Sequence, residues 1–281
     1  MAQDDTSAQS VSASIQAPDA TAVTASTTEK NGYVYQYRGE GTGRIQAWSF
    51  RFGQIFSWIT TTLLFRMRVS GQAHIPKSGG ILQVTNHQSY LDPWLIGIAP
   101  PRQVHYMARD TLFKGGFLSH WMEHWNAFPV KRGAADLGAI RTAVERLDKG
   151  YLLNIFPEGT RSEDGAIGKI APGFSLILNR AKTDVAILPT LIDGAFAAWP
   201  RKSKFPHLFT HTVRIRYGTL IPAAEWRALS ADELALRIRR ELIKLQFEVH
   251  SPYAAASQAR LEADLAAAAA NPPKVRRRVE R

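Results

Sequence analysis

The chain contains no cysteine among its 281 residues. That excludes disulfide cross-links, a catalytic thiol and cysteine-ligated zinc, and it fits a reducing compartment. No secretory leader is expected either. Residues 1–30 are acidic and rich in Ser, Thr and Ala, with no basic start and no apolar run. No segment reaches the about 18 consecutive apolar residues expected of a spanning helix. The nearest, Ile45 to Phe65, is interrupted by Arg51, Gln54 and several Thr. Acidic residues are scarce: 24 Asp and Glu face 35 Lys and Arg, for a net charge of +11. Such an excess favours anionic partners, whether nucleic acid, an anionic membrane surface or a phosphorylated substrate. It is concentrated late in the chain, with sixteen Lys and Arg against eight Asp and Glu from Arg201 to Arg281.

What is present suits one large domain with appendages. Residues 1–44 read as a disordered or poorly ordered tail with few large apolar side chains to bury. Residues 45–68 read as an amphipathic helix, because Trp48, Phe52, Ile55, Phe56, Ile59 and Leu63 recur at three- and four-residue steps. Its aromatic content and neighbouring arginines suit an interfacial membrane helix; packing against the protein's own core is the alternative. From residue 69 to 222, short apolar runs alternate with helical stretches. Strands are expected at residues 80–85, 104–108, 128–130, 151–156, 185–191 and 212–217. Helices are expected at 93–98, 117–124, 136–149 and 172–181. This pattern predicts an α/β fold: a mixed, largely parallel sheet flanked by helices, with an N-terminal membrane-facing helix and C-terminal helices. Residues 223–270 hold those C-terminal helices, one opened by a Ser230–Glu233 capping box. Residues 271–281 form a basic tail that suits anionic lipid or mere solubility.

Three segments carry chemistry. Asn86-His87-Gln88-Ser89-Tyr90-Leu91-Asp92-Pro93 follows an expected strand and precedes an expected helix. Asp92 suits the N-cap of that helix, with Pro93 at its first position. The same carboxylate can reach one imidazole nitrogen of His87, fixing the tautomer and leaving the other nitrogen to accept a proton from a hydroxyl. A loop histidine beside a helix cap is the plainer alternative. Phe156-Pro157-Glu158-Gly159-Thr160-Arg161-Ser162 also follows a strand. Arg161 offers a donor fork for phosphate and Thr160 a hydroxyl, while Gly159 permits a tight turn. Glu158 can receive an acceptor's hydroxyls or orient Arg161; a local Glu–Arg turn is the alternative. Phe128-Pro129-Val130-Lys131-Arg132-Gly133 delivers two cations to a loop, where Arg132 can meet phosphate or water. His74, His105, His120 and His124 form no metal pattern.

In this order the three segments resemble the glycerolipid acyltransferase family, which includes 1-acylglycerol-3-phosphate acyltransferases. NHQSYLD is similar to its histidine–four residues–aspartate motif, FPEGTRS to its third motif, NAFPVKR to its second and AILPT around Pro189 to its fourth. The resemblance covers roughly residues 69–220. It departs at Asn126, where the second motif usually begins with glycine; Asn tolerates a left-handed backbone, so acceptor identity is the property in question.

The resemblance implies that His87 takes the acceptor's proton, that Asp92 orients His87, and that the hydroxyl oxygen attacks a thioester directly. Arg132, Glu158, Gly159, Thr160 and Arg161 would then shape the acceptor's phosphate site, and Pro189 would pack under the acyl-donor region. No cofactor or metal is implied, only acyl-CoA or acyl-carrier protein as donor. Implied partners are the donor and a membrane lipid surface, met by Ile45 to Phe65 and by Phe113, Lys114 and Phe117. The location implied is the cytoplasmic face, peripheral or monotopic. Nucleic acid is not an expected partner, since the cations are dispersed rather than gathered on one recognition element. A transacylase, an acyltransferase for another lipid and a non-catalytic membrane binder are the competing readings.

Overall fold

The structure is a computed structural model that describes residues 27–30, 33–36, 44–113, 125–131 and 136–270. The chain divides between Gly41 and Thr42 into two units. In the first, β1 (Thr27–Lys30) and β2 (Tyr33–Gln36) pair antiparallel. This ribbon lies inside the segment expected to be an unstructured tail. Asn31 and Gly32 stand between the strands in the sequence, the dipeptide that two-residue hairpin connections favour.

The second unit is built on a sheet ordered β3-β9-β8-β4-β7-β5-β6. Its strands are β3 (Arg68–Ser70), β4 (Ile81–Thr85), β5 (Val104–Arg109), β6 (Ala127–Val130), β7 (Leu152–Ile155), β8 (Ala186–Asp193) and β9 (Arg214–Tyr217). Strands β8, β4, β7, β5 and β6 run parallel, β9 is antiparallel to β8, and β3 is parallel to β9. The sheet is therefore mixed and mostly parallel. Strands β4 and β7 are buried residue by residue, which is why they lack the alternation of half-exposed strands, and the polar Gln83, Thr85 and Asn154 are buried along with their apolar neighbours. Pro189 sits within β8, where its carbonyl accepts the Gly218 N–H just past the end of β9.

The helices are α1 (Arg44–Phe65), α2 (Asp92–Ile98), α3 (Leu137–Asp148), α4 (Ser175–Arg180), α5 (Ala195–Ala198), α6 (Ala223–Trp226), α7 (Ala231–Glu248) and α8 (Ala254–Ala270). On one sheet face Leu82 and Val84 join Leu147 of α3, Ile177 of α4 and Ile238 and Leu242 of α7 in one apolar core. On the other face α2 lies over β5. There Gly97 permits close approach, since a Cβ would meet the Tyr106 hydroxyl oxygen at 2.0 Å. Ser230 caps α7 with the expected reciprocal Glu233 bond.

Three expectations are corrected. The first helix ends at Phe65 rather than residue 68: Arg66 turns to φ 46° and Arg68 enters the short edge strand β3. The single helix expected at 172–181 is a 3-10 turn, Pro172–Phe174, followed by α4. Phe113, expected at a membrane surface, is buried. The helix expected at 117–124 and the tail 271–281 lie outside the described residues.

His105 on β5 gives the core an acid-sensitive joint. Its ring stacks on Tyr151 at 4.5 Å and bonds the Arg146 guanidinium. Burial, reinforced by the charges of Arg146, Arg102 and Lys149, pushes its pKa down to about 2 from an ordinary 6.5. The folded state thus holds His105 neutral while the unfolded chain protonates it below pH 6.5. Its stabilising contribution is complete above that pH and is lost as pH falls towards 2. Denaturant titrations of the wild type should lose about 1.4 kcal/mol per pH unit from this group below pH 6.5. His105→Gln should lose that component, and parallel slopes for the two proteins would refute the assignment.

Candidate active site

The chemistry-bearing loops emerge at the carboxyl ends of the parallel strands, the edge at which open α/β sheets bind ligands. His87 follows β4, and Phe156 to Arg161 follow β7. The His87 Nδ1–H donates to Asp92 Oδ2 at 2.6 Å. The same oxygen accepts the backbone N–H groups of Gln88 at 2.6 Å and Ser89 at 2.7 Å. Asp92 is fully buried, whereas the His87 side chain keeps 16% exposure. Because the carboxylate only accepts, Nδ1 carries the proton and Nε2 is left to act as a base. The imidazole is backed by the Phe156 ring, 4.3 Å away and nearly parallel.

Asp92 is not the N-cap. It occupies the first position of α2, the cap is Leu91, and no side chain bonds the cap. The carboxylate turns back into the loop because the Gln88 and Ser89 N–H groups and the imidazole converge there.

Other side chains pin the same loop. Asn86 both donates to and accepts from the backbone of Ile192, at 2.9 and 2.8 Å, extending the β4–β8 ladder beyond the last residue of β4. Gln88 donates to the Gly165 carbonyl and accepts from the Phe196 N–H. Ser89 Oγ donates to the Trp199 carbonyl at 2.9 Å. The Ser162 N–H donates to the His87 carbonyl at 2.7 Å.

The FPEGTR turn meets this loop through Glu158. One carboxylate oxygen accepts the His87 N–H and the other the Gly168 N–H, each at 2.8 Å. Burial raises the Glu158 pKa, opposed by those two N–H bonds and by the nearby His87. Gly159 turns at φ 70°, and the Gly159 N–H closes on the Phe156 carbonyl. A side chain there would have space but a strained backbone. The Arg161 guanidinium lies 3.5 Å above the Tyr90 ring, and its buried Nη1 has no hydrogen-bond partner among the described residues.

The comparisons fit this geometry. The acyltransferase family model matches residues 66–193, spanning every element just described from β3 to β8. This stretch of the chain is similar to the acyltransferase family. A 1-acyl-sn-glycerol-3-phosphate acyltransferase of Bacillus subtilis (strain 168) is 29% identical over 99 residues, 35% of this chain and 50% of that protein. A 1-acyl-sn-glycerol-3-phosphate acyltransferase alpha of Mus musculus is 26% identical over 192 residues, 66% of this chain and 65% of that protein. The chain spans about half the length of the first curated relatives it matches. The crystal structure of a 1-acyl-sn-glycerophosphate acyltransferase from Thermotoga maritima shares the fold, with a TM-score of 0.61 at 24% identity. That match covers 73% of this chain and 81% of the other.

Against the motifs of this acyltransferase family, the structure gathers His87, Asp92, Glu158, Gly159, Thr160 and Arg161 into adjoining loops. Arg132 lies outside the described residues, as do His120 and His124. Glu158 does not pair with Arg161; both of its oxygens hold backbone N–H groups instead. Asn126, where the family usually has glycine, keeps a left-handed backbone at φ 61°, and its carbonyl accepts the Tyr106 N–H and the Arg146 guanidinium. Sequence reasoning missed Asn86, Gln88, Ser89, Tyr90 and Phe156 as builders of the site. The partners of Asn86, Gln88 and Ser89 come from β8 and from residues 165, 196 and 199, while Tyr90 meets Arg161 and Phe156 meets His87, all contacts between segments far apart in the sequence. Among the described residues, no three His, Asp or Glu side chains are grouped to hold a metal ion.

Proposed function

We propose that this chain transfers a fatty acyl group from acyl-CoA or acyl-carrier protein to the free hydroxyl of a lysophospholipid, with 1-acylglycerol-3-phosphate the leading acceptor. The observation that carries this reading is the buried Asp92 carboxylate bonded to His87 Nδ1, which keeps Nε2 as an acceptor. In the proposed step His87 Nε2 takes the acceptor's hydroxyl proton as the oxygen attacks the thioester carbonyl. Collapse of the tetrahedral intermediate breaks the carbon–sulfur bond, and the imidazolium returns the proton to the departing thiolate. No acyl-enzyme, metal or cofactor enters the scheme. The unpaired Arg161 nitrogen, held in place by Tyr90, suits the acceptor's phosphate, with the adjacent Thr160 hydroxyl as a further donor and Arg132 proposed as another on the motif resemblance alone.

A membrane surface is the proposed meeting place. Phe52, Ile55, Phe56, Ile59 and Leu63 are each at least 53% exposed along one face of α1, while Gln54, Ser57 and Thr61 turn inward. Gln54 there donates to the Pro100 carbonyl at 3.0 Å. A helix with its apolar face outward suits a bilayer interface. Among the described residues no helix is long and apolar enough to cross a membrane, and a peripheral or monotopic position on the cytoplasmic face is the reading proposed.

The test is to supply the purified chain with 1-acylglycerol-3-phosphate, and separately with other lysophospholipids, each with acyl-CoA and with acyl-carrier protein. Diacyl product from the phosphate acceptor supports the reading; inertness with every pair sinks it. Arg161→Ala should raise the KM for a phosphorylated acceptor roughly ten- to a hundredfold, the worth of one charge-assisted hydrogen bond. Donor KM should stay put. An unchanged acceptor KM would remove Arg161 from the phosphate site.

A further inference from the structure

Residues 200–212 join β8 to β9 at the carboxyl edge of the sheet, beside the site. Phe205 is 77% exposed, Phe209 58% and Leu208 39%. Arg201, Lys202 and Lys204 are exposed beside them. Between Asp193 and Glu225 the chain has no acidic residue.

This loop has a fixed shape. Trp199 Nε1 donates to the Ser203 carbonyl at 3.1 Å, Ser203 Oγ to the Phe205 carbonyl at 2.7 Å, and Thr210 Oγ1 to the His207 carbonyl at 3.1 Å. It is also stapled to the end of α1, where the Phe209 N–H meets the Leu64 carbonyl at 2.7 Å and the Val213 N–H meets the Phe65 carbonyl at 3.0 Å. Phe209 sits at φ 62°. A bulky residue held in the left-handed region costs free energy, and the surrounding bonds must hold it there. The result is a braced loop whose aromatic side chains face solvent, continuous with the outward apolar face of α1 that ends at Leu63.

Isolated exposed apolar residues need no explanation. Here they are adjacent, flanked by cations and attached to a second apolar face, and the loop itself carries no acid; Glu163 reaches Arg201 from a neighbouring loop at 3.6 Å, leaving Lys202 and Lys204 as its other cations. Apolar side chains ringed by Lys and Arg are the pattern that an anionic lipid interface binds. The root of the loop also touches the site: Ser89 Oγ donates to the Trp199 carbonyl, and the Trp199 ring lies 5.5 Å from that of Tyr90, on which Arg161 stacks.

We propose that residues 200–212 are a second lipid-docking element, which inserts Phe205 and Leu208 into an anionic bilayer and lays Arg201, Lys202 and Lys204 against its headgroups. Docked in this way, the loop seats the Tyr90–Arg161 side of the site on the surface from which a lipid acceptor arrives. The inference rests on the reading that the acceptor is a bilayer lipid, and its test reads binding rather than turnover.

Because the chain has no cysteine, Phe205→Cys in the full chain gives a single position for an environment-sensitive fluorophore. With vesicles of phosphatidylcholine and phosphatidylglycerol the label should shift to the blue and be quenched by brominated lipid. A label at Asp232→Cys, on α7 across the sheet, should do neither. Lys202→Glu with Lys204→Glu should weaken binding to these vesicles roughly tenfold or more, and leave binding to pure phosphatidylcholine and the thermal melt unchanged. A label at position 205 that keeps its aqueous emission while the protein floats with vesicles would overturn the proposal, leaving docking to α1. So would a shift produced by nucleic acid or protein and not by vesicles, or undiminished anionic binding by the charge-reversed variant. Loss of acyl transfer to every acceptor with docking intact would sink the acyltransferase reading and leave this one standing.

Discussion

His87→Ala is expected to lower kcat for acyl transfer by roughly a hundred- to ten-thousandfold, the usual worth of a positioned general base. The imidazole is the group whose free nitrogen faces away from Asp92, and its removal leaves the attacking hydroxyl as a poor nucleophile at neutral pH. The KM values for both substrates should change little, because His87 meets the acceptor at the hydroxyl that reacts rather than at its phosphate. The fold should survive. Two bonds of His87 to the FPEGTR segment are made by its backbone, through the N–H to Glu158 and the carbonyl to Ser162, and alanine keeps both. A stability measurement beside the rate assay checks this. A purified variant with wild-type kcat would refute the mechanism.

Asp92 carries the second large effect, and two variants separate its two roles. One oxygen holds the imidazole and two backbone N–H groups in a fully buried position. Asp92→Ala strands the Gln88 and Ser89 N–H groups. Each buried donor left unpaired costs about 1–3 kcal/mol, a large part of an ordinary domain's stability. This variant should be both inactive and clearly less stable. Asp92→Asn is gentler: the amide oxygen can take the place of the carboxylate oxygen and keep the loop closed. What it loses is the negative charge that stabilises the imidazolium, so kcat should still fall by up to roughly ten-thousandfold, the scale of a triad that loses its carboxylate. Melting curves and steady-state rates on both variants decide. An Asp92→Asn enzyme with full kcat would leave Asp92 as a loop-builder alone.

Much of the fold was legible. Buried strands such as β4 and β7 are short, mostly apolar runs, α7 opens with a capping box, and α3 has its apolar face at helical spacing, with Asp136 accepting two N–H bonds at its start. What was illegible was short or non-local. The three residues of β3 carry no periodicity, and they become a strand only because β9 lies beside them. The boundary at Phe65 depends on Arg66 taking a left-handed turn that no glycine or asparagine announces. Asp92 looked like a cap, since a capping carboxylate and a loop-closing carboxylate are the same residue before the same proline.

The sequence alone determined the resemblance to an acyltransferase family, the order of the reactive segments and the spacing that lets Asp92 reach His87, because motif residues five apart on one loop report local geometry. Only the tertiary structure decided what surrounds them. It placed Phe156 behind the imidazole, Tyr90 beneath Arg161, Glu158 between two backbone N–H groups, and the apolar face of α1 outward beside the Phe205 loop. Each of these is a contact between segments tens of residues apart, and which of a residue's several chemically plausible partners it meets is set by the register of the sheet.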